Sequence, residues 1–165
     1  MNKHYEIYLA GAMKGLTWGK ALGWREAVKN HMPEYIHTLS PLRGLEISDV
    51  PNTTTYQNND VVIASTDAIN IRDHNDVMRS DLVFVNLLDA NNKSVGTIME
   101  VAWARAYNKP LVIVFDGNEK SVYNHPMLLY KAIVVPDLQT GIETVIKFLS
   151  TDRQYTDYLN QKLEL

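Results

Sequence analysis

Short apolar runs along this chain alternate with stretches whose apolar residues recur at helical spacing, which predicts βαβ units around a parallel sheet. Residues 5–10 (YEIYLA) read as the first strand, 35–39 as the second, 81–88 as the third, 111–115 as the fourth and 132–135 as a short fifth. The third is apolar at almost every position, as in a strand buried on both faces. Between the strands, residues 16–31 read as a helix ended by Pro33, and 66–80 as a helix capped by Ser65 or Thr66. A third helix runs from Gly96 or Thr97 to Tyr107, a short one covers 126–131, and a closing one covers 138–149. From residue 42 to about 65 the chain is polar and turn-rich, far longer than the usual connection of about 4–6 residues, and such segments are usually functional or mobile. Residues 1–149 thus form one domain, followed by a polar tail, 150–165, expected to pack on a neighbouring subunit or to fray.

Composition narrows the function. With 165 residues, 45% of them hydrophobic, the chain can bury one sizeable core. No stretch approaches the roughly 20 apolar residues of a membrane span, and the N-terminus enters a strand pattern without a signal-peptide core, so a soluble cytoplasmic protein is expected. The absence of cysteine excludes disulfides, thiolate metal sites and a cysteine nucleophile. A net charge of -3 and no Lys/Arg cluster argue against a duplex nucleic-acid binder, leaving a monomer unit as the nucleic-acid ligand of choice. No pair of residues is spaced for a metal.

The run Ser94-Val95-Gly96-Thr97-Ile98-Met99-Glu100 follows the third strand and opens an Ala-rich helix, placing Glu100 in the first helical turn beyond the carboxyl end of a buried strand. Ligands of open α/β sheets bind in that crevice, and a carboxylate there is a candidate nucleophile or base. The same spacing, Thr97-x-x-Glu100, is also a capping box, in which the two residues satisfy backbone donors and do nothing else. After the first strand, Gly11-Ala12-Met13-Lys14-Gly15 offers close backbone approach and a cation, or simply a tight turn with a solvated lysine. The helix before the third strand carries Asp67, Asp73 and Asp76, with Asp81 after it and Arg72, His74 and Arg79 among them; most of these read as a wet face, with one available as a general acid or base. His125 precedes Pro126, where capping the next helix is the modest explanation.

Taken in order, Ile7-Tyr8-Leu9-Ala10-Gly11, Arg72-Asp73, Ser80 to Leu87, Ser94 to Ala104, Lys109-Pro110 and Asn124-His125-Pro126-Met127 resemble the nucleoside 2-deoxyribosyltransferase family and the related 2'-deoxynucleoside 5'-phosphate N-hydrolases. The resemblance implies a single-domain α/β sandwich, flavodoxin-like, with a five-stranded parallel sheet. It implies a homo-oligomer with a shared active site, acting on deoxynucleosides or their 5'-monophosphates and on nucleobases, with no metal or organic cofactor. It places Glu100 as the nucleophile, Asp73 as the group exchanging a proton with the base, and Tyr8 as the residue orienting Glu100. Gly11, Lys14, Ser94, Gly96, Asn124 and His125 would surround the sugar and its 5' end. The chemistry agrees with the resemblance: a carboxylate captures an oxocarbenium-like carbon with retention, and a positioned acid assists the leaving base. In the first turn, the helix dipole would favour the ionised nucleophile.

Ser94 departs from the transferases of that family, which commonly carry an aspartate there that can bind the 5'-hydroxyl; the phosphate hydrolases have serine. A hydroxyl tolerates a 5'-phosphate that a carboxylate would repel, and Lys14 points the same way. Transfer to an acceptor base and hydrolysis of a 5'-monophosphate are both compatible with the shared intermediate. The Gly-Thr-x-x-Glu run also resembles cytokinin-activating phosphoribohydrolases, but their upstream Pro-Gly-Gly is missing. A response-regulator receiver would need acidic residues after the first strand and a phosphorylatable aspartate ending the third, where this chain has Gly11-Ala12-Met13-Lys14 and Asn86. A nucleotide-binding module without catalysis would show a Glu100→Ala variant that behaves as wild type.

Overall fold

A computed structural model describes residues 3–13, 16–43, 65–88 and 93–163. The chain runs β1 (Tyr5–Gly11), α1 (Trp18–His31), β2 (Ile36–Leu39), α2 (Thr66–Arg79), β3 (Leu82–Asn86), α3 (Val95–Ala106), β4 (Leu111–Val114), α4 (Pro126–Leu129), β5 (Ile133–Val135), α5 (Leu138–Leu149) and α6 (Asp152–Leu163). All four strand pairings are parallel and the sheet order is β2-β1-β3-β4-β5, the flavodoxin-like order, whose switch point lies between β1 and β3.

Strand alternation divides the core in two. Tyr8 and Ala10, Val83 and Val85, and Leu111 and Ile113 face the layer of α2 and α3, where they meet Val77, Val101 and Ala104. Their neighbours Ile7 and Leu9, Leu82 and Phe84, and Val112 and Val114 face α1 and α5, meeting Val28, Ile142, Val145 and Ile146. Two covered faces explain why the strands read as continuous apolar runs.

The segment after residue 150 forms α6, whose Tyr155 and Tyr158 pack against the α1/α5 core, while the Tyr35 hydroxyl meets Ser150 Oγ at 2.7 Å. Lys14 and most of the long connection after β2, residues 44–64, lie outside the described residues. No helix of the described residues is long and apolar enough to cross a membrane.

Two expectations from the sequence need correction. Helix α3 starts at Val95, because Ser94 is its N-cap, accepting from the Thr97 N–H at 3.3 Å. Glu100 therefore lies in the second turn, and the capping pair is Ser94 with Thr97 instead of Thr97 with Glu100. The wet face assigned to α2 is also only partial: Asp73 and Asp76 are buried, since the inner side of this helix turns toward the sheet and toward the segment after β2.

Candidate active site

Helix α3 buries Thr97, Glu100, Val101 and Ala104, the stripe spaced i, i+3, i+4, i+7 that normally holds apolar side chains. Glu100 occupies one position of that stripe, so its carboxylate is delivered into the core beneath β1. There Tyr8, fully buried in mid-strand, donates its hydroxyl to Glu100 Oε1 at 2.6 Å. The other oxygen, Oε2, is buried without a hydrogen-bond partner among the described residues. A buried carboxylate oxygen left bare is costly unless something else fills its need.

Burial pushes the Glu100 carboxyl up to about 7; the Tyr8 hydrogen bond opposes this, the Asp73 charge adds to it, and Arg25 opposes it more weakly. The expected dipole-assisted carboxylate is thus overridden, for desolvation acts on a group one turn too deep for the helix end to help. Tyr8 is raised well above its ordinary value, first by burial and then by the charges of Glu100 and Asp73, so it stays a donor.

Asp73, on α2, is the second buried carboxyl. Its Oδ1 also has no hydrogen-bond partner among the described residues, although Arg72 Nε lies 3.6 Å away. Burial lifts it to about 6 against the lowering charge of Arg72, with Asp76 adding to the rise. The structure therefore brings together Tyr8, Glu100 and Asp73, from residues far apart in sequence. Two carboxyls that feel one another titrate as a pair, and near neutral pH such a pair can carry one proton. In the free protein the higher value of Glu100 keeps that proton on Glu100, so a Glu100 nucleophile and an Asp73 acid require it to move to Asp73.

The residues predicted around the 5' end are more dispersed. Ser94 Oγ accepts from Thr97 Oγ1 at 3.0 Å as well as from the Thr97 N–H, and the Ser94 N–H donates to Tyr123 Oη at 2.8 Å. Gly96 is exposed on the first turn of α3, where a Cβ would stand in ordinary contact with Ser94 Oγ, 4.0 Å away. Asn124 is exposed and donates to the Glu119 carbonyl at 3.3 Å. His125 is the N-cap of α4, its Nδ1 accepting from the Met127 N–H at 3.2 Å, so capping is its role within this chain. Neither is hydrogen-bonded to Tyr8, Glu100 or Asp73. Gly11 is glycine for a packing reason: a Cβ there would stand 2.7 Å from Trp24 Cζ2 and 3.1 Å from the Asn86 carbonyl. Among the described residues no group of three or more His, Asp or Glu could hold a metal ion.

Sequence reading missed Tyr123, buried under the start of α3, and Arg43, whose guanidinium spans both oxygens of Asp76. Tyr123 stands next to Asn124-His125 in a polar turn, and that lone aromatic was the one available signal.

The comparisons with known proteins fit this geometry. The 2-desoxiribosyltransferase of Leishmania mexicana is similar in structure with a TM-score of 0.63 and 14% identity, covering 88% of this chain and 99% of that one. The 2-deoxyribosyltransferase of the psychrotolerant bacterium Bacillus psychrosaccharolyticus gives 0.57 at 17% identity, covering 82% and 88%. The CMP N-glycosidase of Clostridium botulinum gives 0.55 at 17% identity, covering 87% and 99%. At these identities the likenesses show a shared fold. No curated protein sequence matches the chain. The model of the nucleoside 2-deoxyribosyltransferase family, however, matches residues 7–156, which takes in β1 from its third residue, the other four strands and all three residues of the buried Tyr8–Glu100–Asp73 group. The chain therefore belongs to the nucleoside 2-deoxyribosyltransferase family, whose members are enzymes acting on nucleosides.

Proposed function

We propose that this protein cleaves the N-glycosidic bond of 2'-deoxynucleosides through a deoxyribosyl–Glu100 intermediate and passes the deoxyribose to an acceptor base. The observation that carries the reading is the Glu100 carboxylate itself, held on one oxygen by Tyr8 at 2.6 Å and bare on the other. In the first half-reaction Oε2 bonds to C1' as the C1'–N bond breaks. The bonding pair stays on the base nitrogen, and the Asp73 carboxyl supplies the proton that lets the base leave neutral. In the second, a nitrogen of the acceptor base attacks C1', Glu100 departs as carboxylate, and the acceptor's proton returns to Asp73. Two displacements give overall retention. Tyr8, kept protonated by burial, orients Glu100 and stabilises its anion.

A second reading is favoured by Ser94: the same intermediate passes to water, and the substrate is a 2'-deoxynucleoside 5'-monophosphate. At the N-cap of α3 a hydroxyl stands where an aspartate would repel phosphate, beside an exposed Gly96. Lys14, Gly11, Asn124 and His125 complete the proposed surroundings of the 5' end.

The reading includes a homo-oligomer with a shared site. A groove of about 310 Å³ lined by Ile98, Val101, Ala102, Val122, Met127 and Leu128 supports it, because Met127 is 76% exposed and Ile98 38%. A second copy covering this face would bring another chain's polar turn, with its own Asn124, toward α3.

Purified protein should be incubated with deoxynucleosides plus an acceptor base, and separately with the 5'-monophosphates, alongside Glu100→Ala. New nucleoside containing the acceptor base establishes transfer. Free base and deoxyribose 5-phosphate from the monophosphates alone establish the hydrolase. Equal turnover by wild type and Glu100→Ala would overturn both readings.

A further inference from the structure

We propose that Arg72 is the positioning residue for Asp73, drawn over it by main-chain carbonyls of the segment after β2 so that it supplies charge without occupying Oδ1. The proposal rests on the reading of Asp73 as the group that exchanges a proton with the base.

Neighbouring residues on a helix point in different directions, so an i,i+1 ion pair is not expected from α2 alone. Yet Arg72 Nε lies 3.6 Å from Asp73 Oδ1. A tether outside the helix accounts for it: Arg72 Nη1 donates to the Arg43 carbonyl at 3.2 Å and Nη2 donates to the Pro41 carbonyl. That segment is itself fixed, because Leu42 is buried and Arg43 grips the carboxylate of Asp76, with Nη2 to Oδ1 at 2.9 Å. With one N–H of each terminal nitrogen held by these carbonyls, it is the Nε edge of the guanidinium that faces Asp73. Arg72 Nε and Asp73 Oδ1 are both buried and both lack a hydrogen-bond partner among the described residues.

Asp76, three residues along the same helix, is the internal control. Arg43 takes both its oxygens and Arg79 Nε adds a third contact at 3.1 Å, leaving that carboxylate consumed by structure. Had Arg72 gripped Asp73 in the same fork, Asp73 would be a more firmly ionised anion with one lone pair of each oxygen already taken. The offset geometry keeps a cation near while leaving a lone pair for the base. The charged and titratable groups around Asp73 are Arg72 and Asp76 on α2, Arg43 after β2, Glu100 on α3 and Tyr8 on β1. Of these Arg72 most strongly opposes the effect of burial.

The test uses the full chain, Arg72→Gln and Arg72→Lys, and substrates within whichever ring class wild type accepts. For purines these are deoxyadenosine and 7-methyl-2'-deoxyguanosine, whose cationic base leaves neutral without a proton; for pyrimidines, thymidine and 5-fluoro-2'-deoxyuridine, whose base is the better leaving group. Arg72→Gln should lower kcat on the substrate that needs the proton by roughly 10- to 100-fold, and on its less demanding partner by only about threefold. The limb of the pH profile that belongs to Asp73 should move upward, and Arg72→Lys, which keeps the charge and loses the double grip, should fall between. Equal losses on both substrates, or an unmoved limb, would overturn the proposal. If Arg72→Gln does not fold, Arg72→Lys carries the same two readouts. Asp73→Asn separates this idea from the functional reading: a selective loss in Asp73→Asn without one in Arg72→Gln removes the role of Arg72 alone, whereas an active wild type whose Asp73→Asn variant loses both substrates equally removes Asp73 as the proton donor and Arg72 with it. A wild type without turnover removes both.

Discussion

Among the described residues, Arg25 on one side of the sheet and the Glu100–Asp73 pair on the other bury charge and handle it in opposite ways. On the α1 side, Arg25 is 1% exposed and lies against Trp24, 4.4 Å from the ring centroid. It donates to the carbonyls of Leu9 at 3.4 Å, Gly11 at 2.9 Å and Ala21 at 2.5 Å, riveting the carboxyl end of β1 to α1. On the α2/α3 side, Glu100 and Asp73 each keep an oxygen with no hydrogen-bond partner among the described residues. Both arrangements remove ions from water, which is expensive unless the ion's hydrogen-bonding capacity is met. Burial of charge is therefore common to structure and chemistry here. What distinguishes the proposed catalytic side is the capacity left over.

If that distinction holds, the largest effect belongs to the barest group. Glu100→Ala should lower turnover of deoxynucleosides or their monophosphates by about 10⁴-fold or more, as for loss of a nucleophile. Intact-mass analysis of quenched wild-type reactions should show a deoxyribosyl adduct that the variant lacks. Asp73→Asn should cost about 10²- to 10⁴-fold, with the loss concentrated in substrates whose base must be protonated to leave. A variant series in which Asp76→Asn hurts turnover as much as Asp73→Asn, at matched stability, would break the comparison.

Stability should respond with opposite signs on the two sides. Glu100 is raised in the folded protein from its ordinary 4.5 to about 7, so folding favours its protonated form. The stabilisation is complete below pH 4.5 and is lost as pH rises through about 7. Glu100→Gln removes the penalty, and chemical denaturation should find the variant equal to wild type at pH 4 and more stable by roughly 3 kcal/mol at pH 8.5. Arg25→Met should instead destabilise by about 3–5 kcal/mol at both pH values, because a guanidinium does not titrate there and three carbonyls lose a donor. A Glu100→Gln variant less stable than wild type at pH 8.5 would mean that the carboxylate is structural.

The two sides were also unequally legible in the sequence. The strands announced themselves, because every second residue serves one of two apolar layers, and the Gly96-Thr97-x-x-Glu100 run stood out as a carboxylate near a strand end. Family resemblance then selected Asp73 from several aspartates on one helix. The helix start was misplaced by one or two residues because Ser94 and Thr97 both fit a cap, and only the fold decides which one turns its oxygen inward. The partners of Arg25, Arg72 and Arg43 were invisible for a common reason. Two of these arginines act on main-chain carbonyls and the third on a carboxylate 33 residues away, and neither kind of partner leaves a mark in local spacing. The desolvation of Glu100 was hidden as well, since periodicity places a residue on the inner stripe without saying how little water reaches it.

Tyr8→Phe sharpens the comparison most finely, because it removes the one hydrogen bond that the described residues make to Glu100 Oε1 and leaves neither oxygen of that carboxylate with a partner among them. A hydrogen bond to a charged group contributes about 1.5–3 kcal/mol, which corresponds to roughly one to two pH units in the ionisation of its acceptor. The hydrogen bond lowers the Glu100 value, so its loss must move the nucleophile's limb upward from about 7. At pH 7 the variant should therefore be slower by about tenfold or a little more, and most of the deficit should vanish near pH 9. A deficit that stays constant from pH 6 to 9 would place the Tyr8 hydroxyl on the substrate in the transition state, with its contact to Glu100 serving only to park it there in the free enzyme.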